Sequence, residues 1–459
     1  MSVKVVAHEN SDTASRPETA KMHAPEPHLP SPATPYYVRA LVMGIPAYLI
    51  GVHLWTWVFT LPIFLRGEAD FRPFYTAGYM LRTGQAAKLH DYLVQYQLQN
   101  RIVSQGDIAL PFIHPAYEAL FFAPFSFLSY KTAYLVFLAI NVALLLLVYR
   151  LLRPWMENLA RIYVWLPAAL FLAFLPIAAA LIKGQDSVLL LALVAGAWFF
   201  VNRGREFSAG VLVGLALFKF QVVLPLALLF LVWRRWRFSA GFALSGGLAS
   251  LLTVGLLGIK GSLLYARSLF VMSVSTSDIH QFIYAIYPRA MPNLYGLVFG
   301  LTDPWLPSFW IQATTVLVSA AVLGAVIALG LKWRSTSNLF LIALTCSPLL
   351  SYHLFIHDLS VLLVPLVVTL NAFIAAEATG DANGQLLTRA AALMFVAPLC
   401  ESYIPGHFYV VCLPLCFFLY VLMTLAQGVN NCTHNPREGV AKGIASKCQI
   451  MPELSREAS

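Results

Sequence analysis

Charge is what this chain lacks. Of its 459 residues 11% are Asp, Glu, Lys or Arg and 59% are hydrophobic, for a mean hydropathy of +0.72. A soluble fold of that composition would expose large apolar patches, so the bulk belongs in lipid. Apolar–polar alternation is missing too, which excludes a closed barrel of roughly ten-residue strands. Cysteine is scarce: the six present show no metal-ligand spacing, and most lie in apolar runs where they pack. Cys432 and Cys448 in the tail do not make a metal site. No paired-Asp metal motif and no internal repeat occur. Basic residues outnumber acidic ones, 30 to 21, giving +9. That surplus sits in short loops between apolar runs, where it orients helices and implies no nucleic-acid partner.

What is present is a series of apolar runs of membrane-spanning length, which predicts an all-α polytopic membrane protein. Roughly twelve spans are expected, at 38–64, 114–130, 132–150, 160–181, 187–202, 209–233, 238–258, 306–331, 337–350, 359–376, 386–400 and 407–426. Residues 1–36 are polar and read as a disordered cytoplasmic arm. The tail at 428–459 reads likewise, and 37–427 form the membrane domain between them. The first apolar segment is expected to stay as an anchor. On this count both termini are cytoplasmic, and Lys131, Arg234-Arg235-Trp236-Arg237 and Lys332-Trp333-Arg334 face inside. Arg150, Arg153, Arg203 and Arg205 fall outside, against the basic-loop rule. Breaking 209–233 into two short helices around Lys219 changes the parity; the simple count is the preferred one. Two long outer loops, 65–113 and 259–305, are expected to roof a site, the first as helices lying at the membrane surface.

The residues able to do chemistry cluster near these loops. Asp70 opens Asp70-Phe71-Arg72-Pro73-Phe74-Tyr75, one carboxylate and one guanidinium among aromatic rings where the chain leaves lipid. Lys219 lies within an apolar run, where a charge marks a pathway or site unless it snorkels. His353 and His357, followed by Asp358, share one face if that segment is helical. They suit hydrogen bonds to phosphate or sugar; without a third ligand, no metal is expected there. His114 and Glu118 lie one turn apart at the mouth of the second span. Gln185 and Asp186 flank a helix break, but on the preferred count they lie inside, away from sugar chemistry. Tyr284, Tyr287 and Tyr295 fit the aromatic headgroup belt.

An ordered set of these blocks carries a family resemblance. It comprises the Asp70 loop with a later Gly and Tyr, Phe112-Ile113-His114-Pro115 followed by Ala123-Pro124, and Gly184-Gln185-Asp186. It continues through Ala209-Gly210 and Gly214 leading to Lys219, the double Arg and Trp at 234–236, and Asn293. Over roughly residues 60 to 370 the chain resembles family 87 of the glycosyltransferases, membrane enzymes of the GT-C fold. The family includes a polyprenol-phosphate-mannose-dependent mannosyltransferase that extends phosphatidylinositol mannosides. Asp186 stands where Asn is common and Phe220 where Pro often follows the Lys.

The resemblance implies an inverting transferase, a mannosyltransferase, with Asp70 as the base for an acceptor hydroxyl. A sugar hydroxyl is a poor nucleophile near neutral pH, and a positioned base is worth about 10²–10⁴-fold. The departing lipid phosphate needs fixed donors; candidates are Arg72, Lys219, Lys260, Arg267, Arg289, His353 and His357. His114, Glu118, Asp358, Asn293 and Gln185 are candidates for the acceptor side or for support. The expected partners are a polyprenyl-phosphate-linked sugar, a lipid or glycan acceptor and membrane lipids, with no cofactor or metal. The expected place is a bacterial inner membrane, with the site on its outer face. The rival expectation is a transporter or flippase of a lipid-linked sugar, since intramembrane polar residues also mark transport sites.

Overall fold

Apolar chain in lipid must satisfy its backbone internally, and helix does so within one segment. The computed structural model of the chain contains helices and turns and no strand among the described residues. It describes residues 36–434 except 107–108, 275–278, 280–282, 285, 334, 378–381 and 401–403. The two expected disordered arms lie outside the described residues, save that helix already begins at Tyr36 and the last helix continues to His434. By length and composition five stretches of helix among the described residues could cross a membrane, with Glu206–Val232 counted as one despite the break described below, or six if the bent pair Leu166–Ala173 and Leu175–Lys183 is one span. Further apolar helices of 10–17 residues, such as Ser187–Val201 and Thr336–Leu350, pack among them.

The first half of the chain builds the site. Helix α1 (Tyr36–Ile63) leads to α2 (Phe71–Arg82), α3 (Tyr92–Ile102) and α4 (Ala116–Phe122). The expected span at 114–130 is instead the seven-residue α4 and a 3₁₀ turn, Ala123–Phe127. Its rings, with those of α2, form a compact aromatic core in which Phe71 stacks on Phe137 at 5.1 Å and Phe74 on Phe122 at 4.8 Å. Helix α5 (Tyr130–Leu152) runs alongside the bent pair α7 (Leu166–Ala173) and α8 (Leu175–Lys183), reached through the short α6 (Glu157–Ile162). Helix α9 (Ser187–Val201) then runs back.

The 209–233 run is two helices, α10 (Glu206–Leu215) and α11 (Phe220–Val232), joined by the 3₁₀ turn Ala216–Lys219. Helix α10 lies parallel to the start of α12 (Trp236–Val274), because Gly210 and Gly214 bring the two backbones together. A Cβ at Gly210 would collide with the Phe238 carbonyl, and one at Gly241 with the Phe207 carbonyl. Arg235 therefore reaches Glu206 at 3.8 Å, so both ends of the 206–232 segment meet at one level. Thr336 donates to Glu206 and Ser337 to Asn202, at 2.7 and 3.1 Å, adding the chain after Lys332 to that end. Trp155 meets Trp198 with ring centroids 5.6 Å apart, adding Arg153.

The preferred parity is thus corrected. Arg150, Arg153, Arg203, Arg205 and Arg234 to Arg237 lie toward one basic end of the bundle, because α10 and α11 form a hairpin and 114–130 is not a span. Asp70 and Gln185 lie at the far end of α9, about 22 Å away at 1.5 Å per residue. The second expected loop is corrected as well. After a kink at Gly258 (φ 65°), α12 continues as helix to Val274. There Tyr265 stacks on His90 at 4.1 Å, joining this segment to the first loop. The chain closes with α13 (Leu294–Thr302), α14 (Ser308–Gly330), α15 (Thr336–Leu350), α16 (Leu363–Glu377), α17 (Ala382–Val396) and α18 (Cys412–His434).

The glycine contact that sets the hairpin gives a direct test. Gly210→Val forces α10 off α12, and overpacking of this kind costs about 1–3 kcal/mol. The expected result is a lowered thermal midpoint in detergent, whereas Gly247→Ala, which meets open space, leaves it unchanged.

Candidate functional site

Asp70 is fixed by what flanks it. Phe71 is fully buried among Phe122, Phe125, Tyr130, Tyr134 and Phe137. Asp70 occupies the N-cap position of α2 but makes no capping hydrogen bond, so its carboxylate is available elsewhere. Across from it, α8 ends at Gly184 in the left-handed region (φ 65°). A Cβ there would sit 2.8 Å from Phe71 Cβ and 3.1 Å from the Tyr134 ring, so only glycine lets α8 end against α2. The next residue, Gln185, donates from Nε2 to Asp70 Oδ2 at 3.0 Å, and Asn141 Nδ2 holds the Gln185 carbonyl at 3.3 Å. Lys183 Nζ lies 3.7 Å from the same Asp70 oxygen.

Behind this pair runs a buried ionic chain. Glu118 Oε2 accepts from His114 Nδ1 at 2.5 Å, and Asp186 Oδ2 faces that nitrogen at 3.2 Å. Asp186 Oδ1 meets Lys219 Nζ at 2.9 Å, and the same ammonium meets Asp358 Oδ1 at 3.1 Å. Asp358 also accepts from Ser187 Oγ at 3.1 Å and from the Phe355 amide at 3.1 Å. His357 Nε2 lies 3.7 Å from Asp358. Lys219, Asp186 and Asp358 are each at most 3% exposed, so none could stay charged there without the others. The N-termini of α9 and α11 also end at this cluster, and their free amides favour the two aspartates. His114, Glu118 and Asp186 offer ligand atoms within 4.8 Å of one another, a donor set open to a divalent ion. The Lys219 ammonium already neutralises part of its charge.

Beside His353 a groove opens on the flank of the bundle. Its volume is about 1040 Å³, and Leu224, Leu228, Phe242, Val316 and Leu323 supply much of its wall. Ser351, Tyr352 and His353 line its polar end.

Comparison with known proteins bears on what this arrangement does. The model of glycosyltransferase family 87 matches residues 112–356, just over half of the chain. The chain belongs to glycosyltransferase family 87. An alpha-(1->3)-arabinofuranosyltransferase of Corynebacterium glutamicum is 26% identical over 275 residues, covering 56% of this chain and 61% of that relative. No solved structure matches. The chain spans about three fifths of that relative's length. The matched region holds His114, Lys219 and His353; Asp70 precedes it, and His357 and Asp358 follow it.

Within this family 87 chain, the expected site residues separate into groups. Asp70, Gln185, Lys219, His114, Glu118, His357 and Asp358 come together. Gln185 and Asp186 do not lie away from Asp70 as the simple count required, because α7 and α8 carry them to its side. His353 and His357 do not share a helix face: residues 351–355 are non-helical and a 3₁₀ turn starts at Ile356. Both rings are buried nevertheless. Arg72 is turned to the chain itself, donating to Asn100 Oδ1 and to the Ser104 carbonyl and hydroxyl. Arg289 pairs with Asp303 at 3.0 Å. Asn293 is a buried cap, accepting from the Gly296 amide and donating to the Ser351 carbonyl. Lys183 and Ser187 escaped sequence reasoning. A Lys before a helix-ending Gly is an ordinary stop signal, and a Ser opening an apolar run carries none.

The ionic chain predicts its own sensitivity. Lys219→Met leaves Asp186 and Asp358 buried without their cation, a loss of about 3–5 kcal/mol. A strongly lowered unfolding midpoint in detergent is expected, with Asp186→Asn in the same chain restoring part of it.

Proposed function

We propose that this family 87 enzyme moves a sugar from a polyprenyl-phosphate carrier to an alcohol of a lipid or glycan acceptor, with inversion, on the outer face of a bacterial inner membrane. Two features of the bundle support the reading: a flank groove whose lining includes Ser351, Tyr352 and His353, and a partly exposed Asp70 held by Gln185. A prenyl tail fits the groove from the bilayer side, which leaves its phosphate and sugar at the polar end. The bundle is of the GT-C kind on this reading.

The chemistry follows from the placement. Gln185 engages Asp70 Oδ2, so Oδ1 is the oxygen left to take the acceptor proton. The acceptor oxygen then attacks the anomeric carbon, the bond from that carbon to the phosphate oxygen breaks, and the lipid phosphate leaves as an anion. Buried electrostatic donors matter most where that charge develops. His353, which lines the groove, and His357 have Nδ1 atoms that lack a hydrogen-bond partner among the described residues, and they are the donors proposed for that charge. No cofactor takes part in these steps. The basic end faces the cytoplasm by the positive-inside rule, which puts Asp70 outside and both termini inside.

Mannose is the sugar the family resemblance implies. The printed name of the corynebacterial relative instead favours an arabinofuranosyl donor, and the two are separated by offering both decaprenyl-phosphate sugars to the purified enzyme. Asp70→Asn is expected to lower transfer by about 10²–10⁴-fold with expression and donor binding retained. Near-normal turnover by that variant would remove the assignment of Asp70 as the base.

A further inference from the structure

We infer that Lys183, which sequence reasoning passed over, is the cation that meets the phosphate of the lipid-linked donor. This rests on the donor reading above. Among the described residues three of the other candidate cations are occupied. The Lys219 side chain is 3% exposed and its ammonium lies between Asp186 and Asp358 at 2.9 and 3.1 Å. The Arg72 guanidinium is held by Asn100 and Ser104, and Arg289 pairs with Asp303.

Lys183 differs on each point. Its side chain is 39% exposed, at the last turn of α8. Among the described residues its ion-pair partner is Asp70, at 3.7 Å, longer than a hydrogen bond. Asp70 does not depend on it, because Gln185 already donates to the same oxygen at 3.0 Å. An ammonium carries three N–H groups and acts on phosphate as a point charge, needing no fixed fork of donors. It stands beside the proposed base and is exposed enough for a donor head group to reach it. Its charge would stabilise the phosphate monoester as the bond between sugar and phosphate breaks. A lysine at a helix C-terminus also complements the helix dipole, so the test must separate ligand binding from fold and from any effect on Asp70.

The test uses the full chain in neutral detergent and decaprenyl phosphate, the product anion, as probe, with phosphatidylglycerol as the second phosphate source. Lys183→Gln is expected to weaken decaprenyl phosphate binding by about 10- to 100-fold, the range of a charged hydrogen bond. It is expected to raise the donor KM by a similar factor, with the acid limb of the kcat–pH profile unmoved. Lys183→Arg keeps the charge and is expected to restore most of the affinity. Lys183→Gln binding decaprenyl phosphate as the wild type does would overturn the inference. So would a defect confined to the acid limb of kcat, which would make Lys183 a partner of Asp70 alone. Wild-type enzyme that binds phosphatidylglycerol as tightly as decaprenyl phosphate would overturn it too. A wild type that binds neither removes the donor reading itself, and this inference with it.

Discussion

The structure depends on one buried ammonium shared by two carboxylates. Lys219 stands at the tip of the hairpin, Asp186 at the head of α9 and Asp358 in the turn before α16. These are three chain segments far apart in sequence, each with an apolar surround in which an unpaired charge is costly. None of the three can move off without stranding the others, so the meeting point is fixed by electrostatics. Everything nearer the solvent is built out from it. Ser187 and the Phe355 amide bind Asp358, His114 leans on Asp186, and His90 Nε2 donates to the His114 carbonyl at 2.9 Å.

Short helices make that arrangement possible. A helix that stopped in mid-bilayer would leave terminal amides and carbonyls without partners, and the chain places such ends only where polar side chains await them. The same hairpin explains the sorting of charge. With α10 and α11 folded back together, the arginines that follow α5, α9 and α11 gather at one end, as an inside-facing surface requires. The polar cluster stands one helix length away.

Much of this was legible in the residues, and the remainder was hidden for identifiable reasons. Helicity, burial in lipid and the weight on Asp70, Lys219, His114 and Asp358 follow from composition and from charges set in apolar runs. The hairpin was visible only as an inconsistency: arginines on the wrong side, and a lysine in the middle of a span. Hydropathy averages over a window and so counts two half-length helices as one long one. Span 114–130 was misread for the converse reason, since a segment buried in an aromatic core is as apolar as one facing lipid. The bond from Gln185 to Asp70 joins residues 115 positions apart, and no local pattern announces it. The histidine spacing fits one face only if the segment is helical, whereas Phe355 between them is extended and a 3₁₀ turn begins at Ile356.

The groove on the flank has a consequence for what the protein can handle. Residues of α11, α12 and α14 line it, together with the turn at Ser351 to His353. A ligand with a long hydrocarbon tail can therefore slide in head-first while the far part of the tail stays among neighbouring lipids. On the proposed donor reading, recognition would be confined to the first few isoprene units and the head group, and carriers of different lengths would be interchangeable.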